Sequence, residues 1–264
     1  MPLVFAAITP HTPLLLPSIG QEKGLAQVKK TKESLEQLEQ ELYLAKPDLI
    51  VIISPHEGLF DDAFVVNAHT HFVSSYEQFG DLVTKDEWKG NTDFAAKISH
   101  ASNVSDVPVR LISEEKLSHG ATVPLHYLTQ HLPEIKILPV GFSGLDTTEH
   151  LRFGELLKES IMSHGKRVAI IASGDLAHCL TEDAPTAYNE LGAQFDAKLI
   201  NLLETRNTVG IAQMNPDIVS ASAECGYRSI LILLGILQDV DYTFKHYSYE
   251  YPLGVGYLVG NFIF

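Results

Sequence analysis

Asp48-Leu-Ile-Val-Ile-Ile-Ser-Pro-His56 sets the architecture of this 264-residue chain. Leu49 to Ile53 is an unbroken apolar run of three isoleucines, a valine and a leucine. It is too short for a helix and reads as a strand buried on both faces of a sheet. Ser54-Pro55 ends it, because proline donates no ladder hydrogen bond and biases the residue before it towards extended backbone. His56 is therefore expected just past the C-terminal end of an interior strand, where open α/β sheets keep their sites. The N-terminus repeats the pattern, with Val4 to Ile8 followed by Thr9-Pro10-His11. Two strands that end this way would set two imidazoles side by side.

Outward from this stretch, strands and helices alternate. Leu25, Val28, Leu35, Leu38 and Leu42 form one apolar stripe, which predicts a helix from about Glu22 to Ala45. Further strands are expected at 63–67, 108–112, 134–140 and 167–172. Further helices are expected at 92–101, from Ala121 onward with Pro124 in the first turn, and at 147–164, 187–204 and 224–238. Tyr242 to Tyr249 and Val255 to Phe264 read as an antiparallel hairpin. The pattern predicts a single α/β domain over residues 1–264. A mostly parallel central sheet would be flanked by helices and closed by that C-terminal antiparallel hairpin.

Composition excludes several functions. With 45% hydrophobic and 20% charged residues, the chain can bury a core without staples. The formal net charge of −14 repels a phosphate backbone or an anionic membrane surface, so neither nucleic acid nor membrane is expected as a partner. No apolar run approaches the ~18 residues of a membrane span. Two cysteines, Cys179 and Cys225, make no disulfide framework, and Met-Pro-Leu-Val-Phe lacks the charged start of a signal peptide. A cytoplasmic location is the expectation. Cys179 reads as a buried small residue.

Four of the twelve histidines share a context. His11, His56 and His178 lie just past apolar strands, the last through Ser173-Gly-Asp-Leu-Ala-His178. His119 lies in Leu117-Ser-His-Gly at a helix start, where the helix dipole favours neutral imidazole. His69 and His71, two apart after a strand, are either a metal pair or a solvated loop. Two imidazoles and one carboxylate make the facial set of non-haem Fe(II) oxygenases, and also suit catalytic zinc. His11 and His56 supply the imidazoles, and Glu224, at the mouth of the last apolar helix, is the best carboxylate. His119 and His178 are then free to move protons. Ser173, Asp175 and His178 do not read as a hydrolase triad, since they are local in sequence and no Gly-x-Ser-x-Gly elbow is present.

Thr-Pro-His11, Ser-Pro-His56, Ser-His119-Gly, Ser-Gly-Asp-Leu-Ala-His178 and Glu224 occur in this order along nearly the whole chain. In that order they resemble the class III extradiol dioxygenases, in particular the catalytic β subunit of the protocatechuate 4,5-dioxygenase type. The resemblance implies Fe(II) held by His11, His56 and Glu224, a base at His178, and His119 near a small aromatic substrate and O₂. It also implies pairing with a second subunit or with a copy of the same chain. Ser-Pro-His-Glu-Gly-Leu-Phe-Asp-Asp and Glu224-Cys225-Gly-Tyr-Arg are similar to the Memo-like branch, whose bacterial members are associated with a radical-SAM protein. In that branch a cysteine before glycine is the third ligand. The sequence therefore leaves Glu224 and Cys225 as alternatives, with zinc or another divalent ion as alternatives to iron, and with a redox or accessory role beside a radical-SAM protein, or metal-dependent hydrolysis, as alternatives to ring cleavage.

Overall fold

The computed structural model describes residues 2–264. The predicted central run is β2 (Leu49–Ser54), buried at every position. Its side chains divide between two cores. Leu49, Val51 and Ile53 face one, while Ile50 and Ile52 face the other. That division is why the run carries no polar alternation.

The chain begins with β1 (Leu3–Thr9), α1 (Pro17–Gln27) and α2 (Lys29–Ala45). After β2 come β3 (Phe64–Asn67), β4 (His71–Ser74), β5 (Glu87–Gly90), α3 (Thr92–Ser105), β6 (Val109–Ile112) and β7 (Lys116–Leu117). Next are α4 (His119–Leu128), β8 (Lys136–Gly141), α5 (Thr147–Met162), β9 (Val168–Ser173) and α6 (Glu190–Glu204). The chain ends with α7 (Thr208–Ala212), α8 (Pro216–Ser222), α9 (Tyr227–Ile236), β10 (Thr243–Glu250) and β11 (Tyr257–Ile263). One sheet runs in the order β10-β11-β1-β9-β2-β8-β5-β4-β7, with β3 and β6 branching from β8. Its centre, β1-β9-β2-β8, is parallel, and β10 with β11 forms the expected antiparallel hairpin. The fold is α/β with a mixed, mostly parallel sheet. No helix of the described residues is long and apolar enough to cross a membrane.

Three boundaries differ from the sequence expectation in ways that matter for the site. The helix expected from Glu22 to Ala45 is two helices, broken at Val28 (φ −106°, ψ 27°). The first starts at Pro17 and is pressed onto the loop just after His11. A Cβ on Gly20 would lie 2.0 Å from the Leu14 carbonyl oxygen. Helix α4 begins at His119, not Ala121, so Pro124 falls inside the helix rather than in its first turn. Helix α9 begins at Tyr227, not Glu224. The Asp175 carbonyl accepts the N–H groups of Cys225 and Gly226 and holds both outside the helix. The segment before the helix expected at 92–101, for which no strand is expected, also contributes β5 to the sheet.

Candidate metal centre

Strands β1, β9 and β2 lie side by side in parallel register, with Thr9 opposite Ser173 and both Ile8 and Ile53 opposite Ala172. They stop at one level, so the three loops leaving them meet above the sheet edge. His11 comes two residues after β1, His56 two after β2, and Asp175 two after β9. The expected pair of imidazoles forms, with ring centroids of His11 and His56 5.0 Å apart. His119, at the first position of α4, stacks on His56 at 4.6 Å and lies 5.3 Å from His11.

The third ligand atom in reach is sulfur. Coordinating atoms of His11, His56 and Cys225 all lie within 4.8 Å of one another, and Cys225 Sγ is 3.6 Å from His11 Nε2. A second group, Asp175, His178 and Cys225, meets the same limit and shares the thiol. Two glycines bring the sulfur there. A Cβ on Gly174 would be 2.1 Å from Gly226 Cα, so only glycine lets the turn after β9 touch the lead-in to α9. The Asp175 N–H then points at Cys225 Sγ, 3.3 Å away.

Glu224, the carboxylate expected in the metal set, is in neither group. Its Oε2 accepts the Tyr227 N–H at the start of α9. Its side chain lines a separate cavity of about 490 Å³ beside Asp146, His150 and Arg228. His69 and His71 do not make a metal pair either. The His69 ring contacts the His71 carbonyl, and His71 is divided between Glu87 and Glu115. Cys179 is buried against the carbonyls of Asn189, Ala221 and Ser222.

The electrostatics suit metal binding and proton handling in different parts of the cluster. Burial lowers the pKa of His11. Burial and the neighbouring imidazoles push His56 down to about 4 and His119 down to about 3. All three are therefore neutral near pH 7, the form in which imidazole ligates. Burial would also lower His178, but the Asp175 carboxylate outweighs it and the pKa is raised. Asp175 is held below the usual carboxylate range despite its burial by His11, His178 and the His11 N–H. Its Oδ1 accepts that N–H at 3.0 Å, and its Oδ2 lies 3.9 Å from His178 Nε2. Burial and Asp175 push the Cys225 thiol well above its ordinary value, so metal capture there must displace a proton.

In the sequence Asp175 stands out only as a member of the Ser173, Asp175, His178 set that does not read as a triad. Its signal was its offset, two residues past a strand end like His11 and His56. Glu57, unmarked in the sequence, is 5% exposed and accepts the N–H and hydroxyl of Ser118. These bonds tie the loop after β2 to the start of α4, and so His56 to His119.

Two imidazole nitrogens and a sulfur fit a borderline transition ion such as Fe(II), Zn(II) or copper, and of the three residues His56 is the exposed one. A solved structure, uncharacterized protein JW3007 from Escherichia coli K12, shares the fold. Its TM-score is 0.70 at 16% sequence identity, over 99% of this chain and 100% of that one. The chain is 30% identical over 259 residues to protein CA_C1420 of Clostridium acetobutylicum, covering 95% of this chain and only 55% of that relative. It is 26% identical to a MEMO1 family protein of Methanosarcina mazei, over 79% of this chain and 78% of the relative. It is 23% identical to 3,4-dihydroxyphenylacetate 2,3-dioxygenase of Escherichia coli, over 76% and 78%. With a match that runs from residue 5 to residue 260, the chain belongs to the LigB family, the catalytic LigB subunit of aromatic ring-opening dioxygenase.

Proposed function

We propose that this protein is a metal-dependent oxidoreductase of the Memo-like branch, with one transition-metal ion held by His11, His56 and Cys225. The observation that carries the reading is the convergence of those three donors while Glu224 caps α9. A bound Fe(II) or copper ion would supply electron transfer and activation of O₂. The chain's own residues do the rest. His178, whose Nε2 lies 3.9 Å from the Asp175 carboxylate, takes a proton from a hydroxyl of the substrate, and Asp175 stabilises the imidazolium that results. His119 stays neutral and offers a hydrogen bond beside His56. The Phe79 and His119 rings pack edge to face with centroids 5.1 Å apart, an apolar contact suited to a small aromatic diol beside them.

Ring opening of a catechol is the second reading. It is favoured by the likeness to dioxygenases and by the Asp175–His178 pair, and opposed by sulfur in place of a carboxylate. One experiment addresses both. Metal-free protein is loaded anaerobically with Fe(II), and metal per chain is measured for wild type, Glu224→Ala and Cys225→Ala. The expected result is an affinity loss of about tenfold or more for Cys225→Ala and little change for Glu224→Ala. The reverse order would overturn Cys225 as the ligand. Loaded wild type is then mixed with a panel of catechols and exposed to air. A coloured ring-opened product favours cleavage, and its absence with metal bound leaves the redox reading alone.

A further inference from the structure

We propose that Ser173 is the positioning residue that holds His11 in its metal-binding tautomer, and that Pro124 is what leaves it free to do so. The proposal rests on the reading of His11 as a ligand and adds the hydrogen-bond chain behind it.

That chain starts in α4. In an α-helix each carbonyl accepts the N–H four residues on. Gly120 lies in the first turn of α4, and the residue four on is Pro124, which has no N–H. The Gly120 carbonyl is thus deprived of its normal helical donor. It is buried, and a buried carbonyl without a partner is costly. The Ser173 hydroxyl, at the end of β9 and 0% exposed, donates to it.

A serine hydroxyl has one proton. A carbonyl cannot donate, so the proton between Ser173 Oγ and Gly120 O belongs to Ser173. The same Oγ lies 3.0 Å from His11 Nδ1. With its proton spent on Gly120, Oγ can only accept there, so Nδ1 carries the hydrogen. Neutral imidazole has one N–H, which leaves Nε2 as a bare lone pair. Nε2 is the nitrogen 3.6 Å from Cys225 Sγ. The series Pro124, Gly120, Ser173, His11 therefore ends in a nitrogen with no proton to remove, facing Cys225 Sγ and 3.8 Å from Asp175 Oδ2, where the proposed ion would be held.

A second feature ties the same residue to His56. A Cβ on Gly120 would sit 2.9 Å from His56 Cδ2, so this one glycine borders His56 directly and reaches His11 through Ser173. Partners that orient a ligating histidine and fix its tautomer typically change metal affinity about 10–100-fold when removed.

The test reads the tautomer directly. Long-range proton–nitrogen correlations are recorded on metal-free, nitrogen-15-labelled protein near pH 7.5, with the His11 ring assigned by its loss in His11→Gln. Wild type is expected to show His11 protonated at Nδ1, and Ser173→Ala a mixture with Nε2–H. Co(II) affinity, measured by chelator competition, is expected to fall about 10–100-fold in Ser173→Ala and to be retained in Ser173→Thr. Pro124→Ala returns a competing N–H to the Gly120 carbonyl and should move both readouts the same way by less. Its thermal transition should rise, because an alanine suits the helix interior better. An Nε2–H tautomer in wild type, or a Ser173→Ala protein with tautomer and Co(II) affinity both unchanged, would overturn the proposal. If His11→Gln binds Co(II) as tightly as wild type, His11 is not a ligand, and the nitrogen spectra alone then decide the role of Ser173.

Discussion

Gly120 shows how much of this centre depends on one missing side chain. A Cβ there would stand 2.5 Å from Ser54 Oγ and 2.9 Å from His56 Cδ2. Alanine gains about 1 kcal/mol of helix propensity over glycine, while forcing an atom into packed surroundings costs about 1–3 kcal/mol. The net cost is about 0–2 kcal/mol. Gly120→Ala should therefore stay folded, with a urea midpoint at or modestly below that of wild type, while His56 is pushed aside and metal affinity falls at least tenfold. Unchanged metal affinity by chelator competition would show that His56 is not held this way. In the sequence, His119-Gly120 reads as a turn. What makes it the first turn of a helix is the Glu57 carboxylate, which draws in the N–H and hydroxyl of Ser118 from sixty-one residues away.

Helix α9 carries Cys225 at its lead-in, so the seat of the whole helix sets the height of the sulfur. That seat is a close crossing with α5. A Cβ on Gly154 would lie 2.2 Å from the Ile232 carbonyl oxygen, and one on Gly235 would lie 2.3 Å from that of Leu151. Both obstacles are backbone and cannot rotate away. Gly154→Ala should destabilise the protein by about 1–3 kcal/mol or more. At about 2–4 °C per kcal/mol for a chain of this size, calorimetry should show a drop of several degrees in Tm. A Tm within one degree of wild type would mean that the helices can slide apart, and the sulfur with them. The apolar body of α9, Ile230 to Leu234, was legible as a buried helix. Its start was not, because the contact between Gly174 and Gly226 that ends it is invisible in either segment alone.

Asp196 on α6 joins parts of the molecule far apart in sequence. It accepts the Ala177 N–H in the loop after β9 and the Tyr249 hydroxyl of β10. At 1% exposure, burial pushes its carboxyl up to about 6. A carboxyl pKa higher in the folded than in the unfolded chain binds its proton more tightly when folded. Its favourable contribution is present below about pH 4 and is lost as pH rises through about 6. Asp196→Asn keeps an acceptor for Ala177 and places an N–H₂ by Tyr249. It should stabilise the protein at pH 8 by up to about 3 kcal/mol, with the difference gone by pH 4. Equal urea midpoints of the two proteins at pH 8 would refute this. From its own residues the sequence determined the α/β class, the doubly buried strand β2, the C-terminal hairpin, and the placing of His11, His56 and His178 beyond strand ends. Those features arise from local hydrophobic period and from proline, which act within a few residues. Tertiary structure alone decided that the Cys225 sulfur and the Asp175 carboxylate, rather than Glu224, come within 4 Å of His11 Nε2. Glu224 and Cys225 are neighbours with equal access by sequence. Only the Asp175 carbonyl and the Gly174–Gly226 contact, which join segments 50 to 52 residues apart along the chain, set Cys225 towards His11 and leave Glu224 to cap a helix.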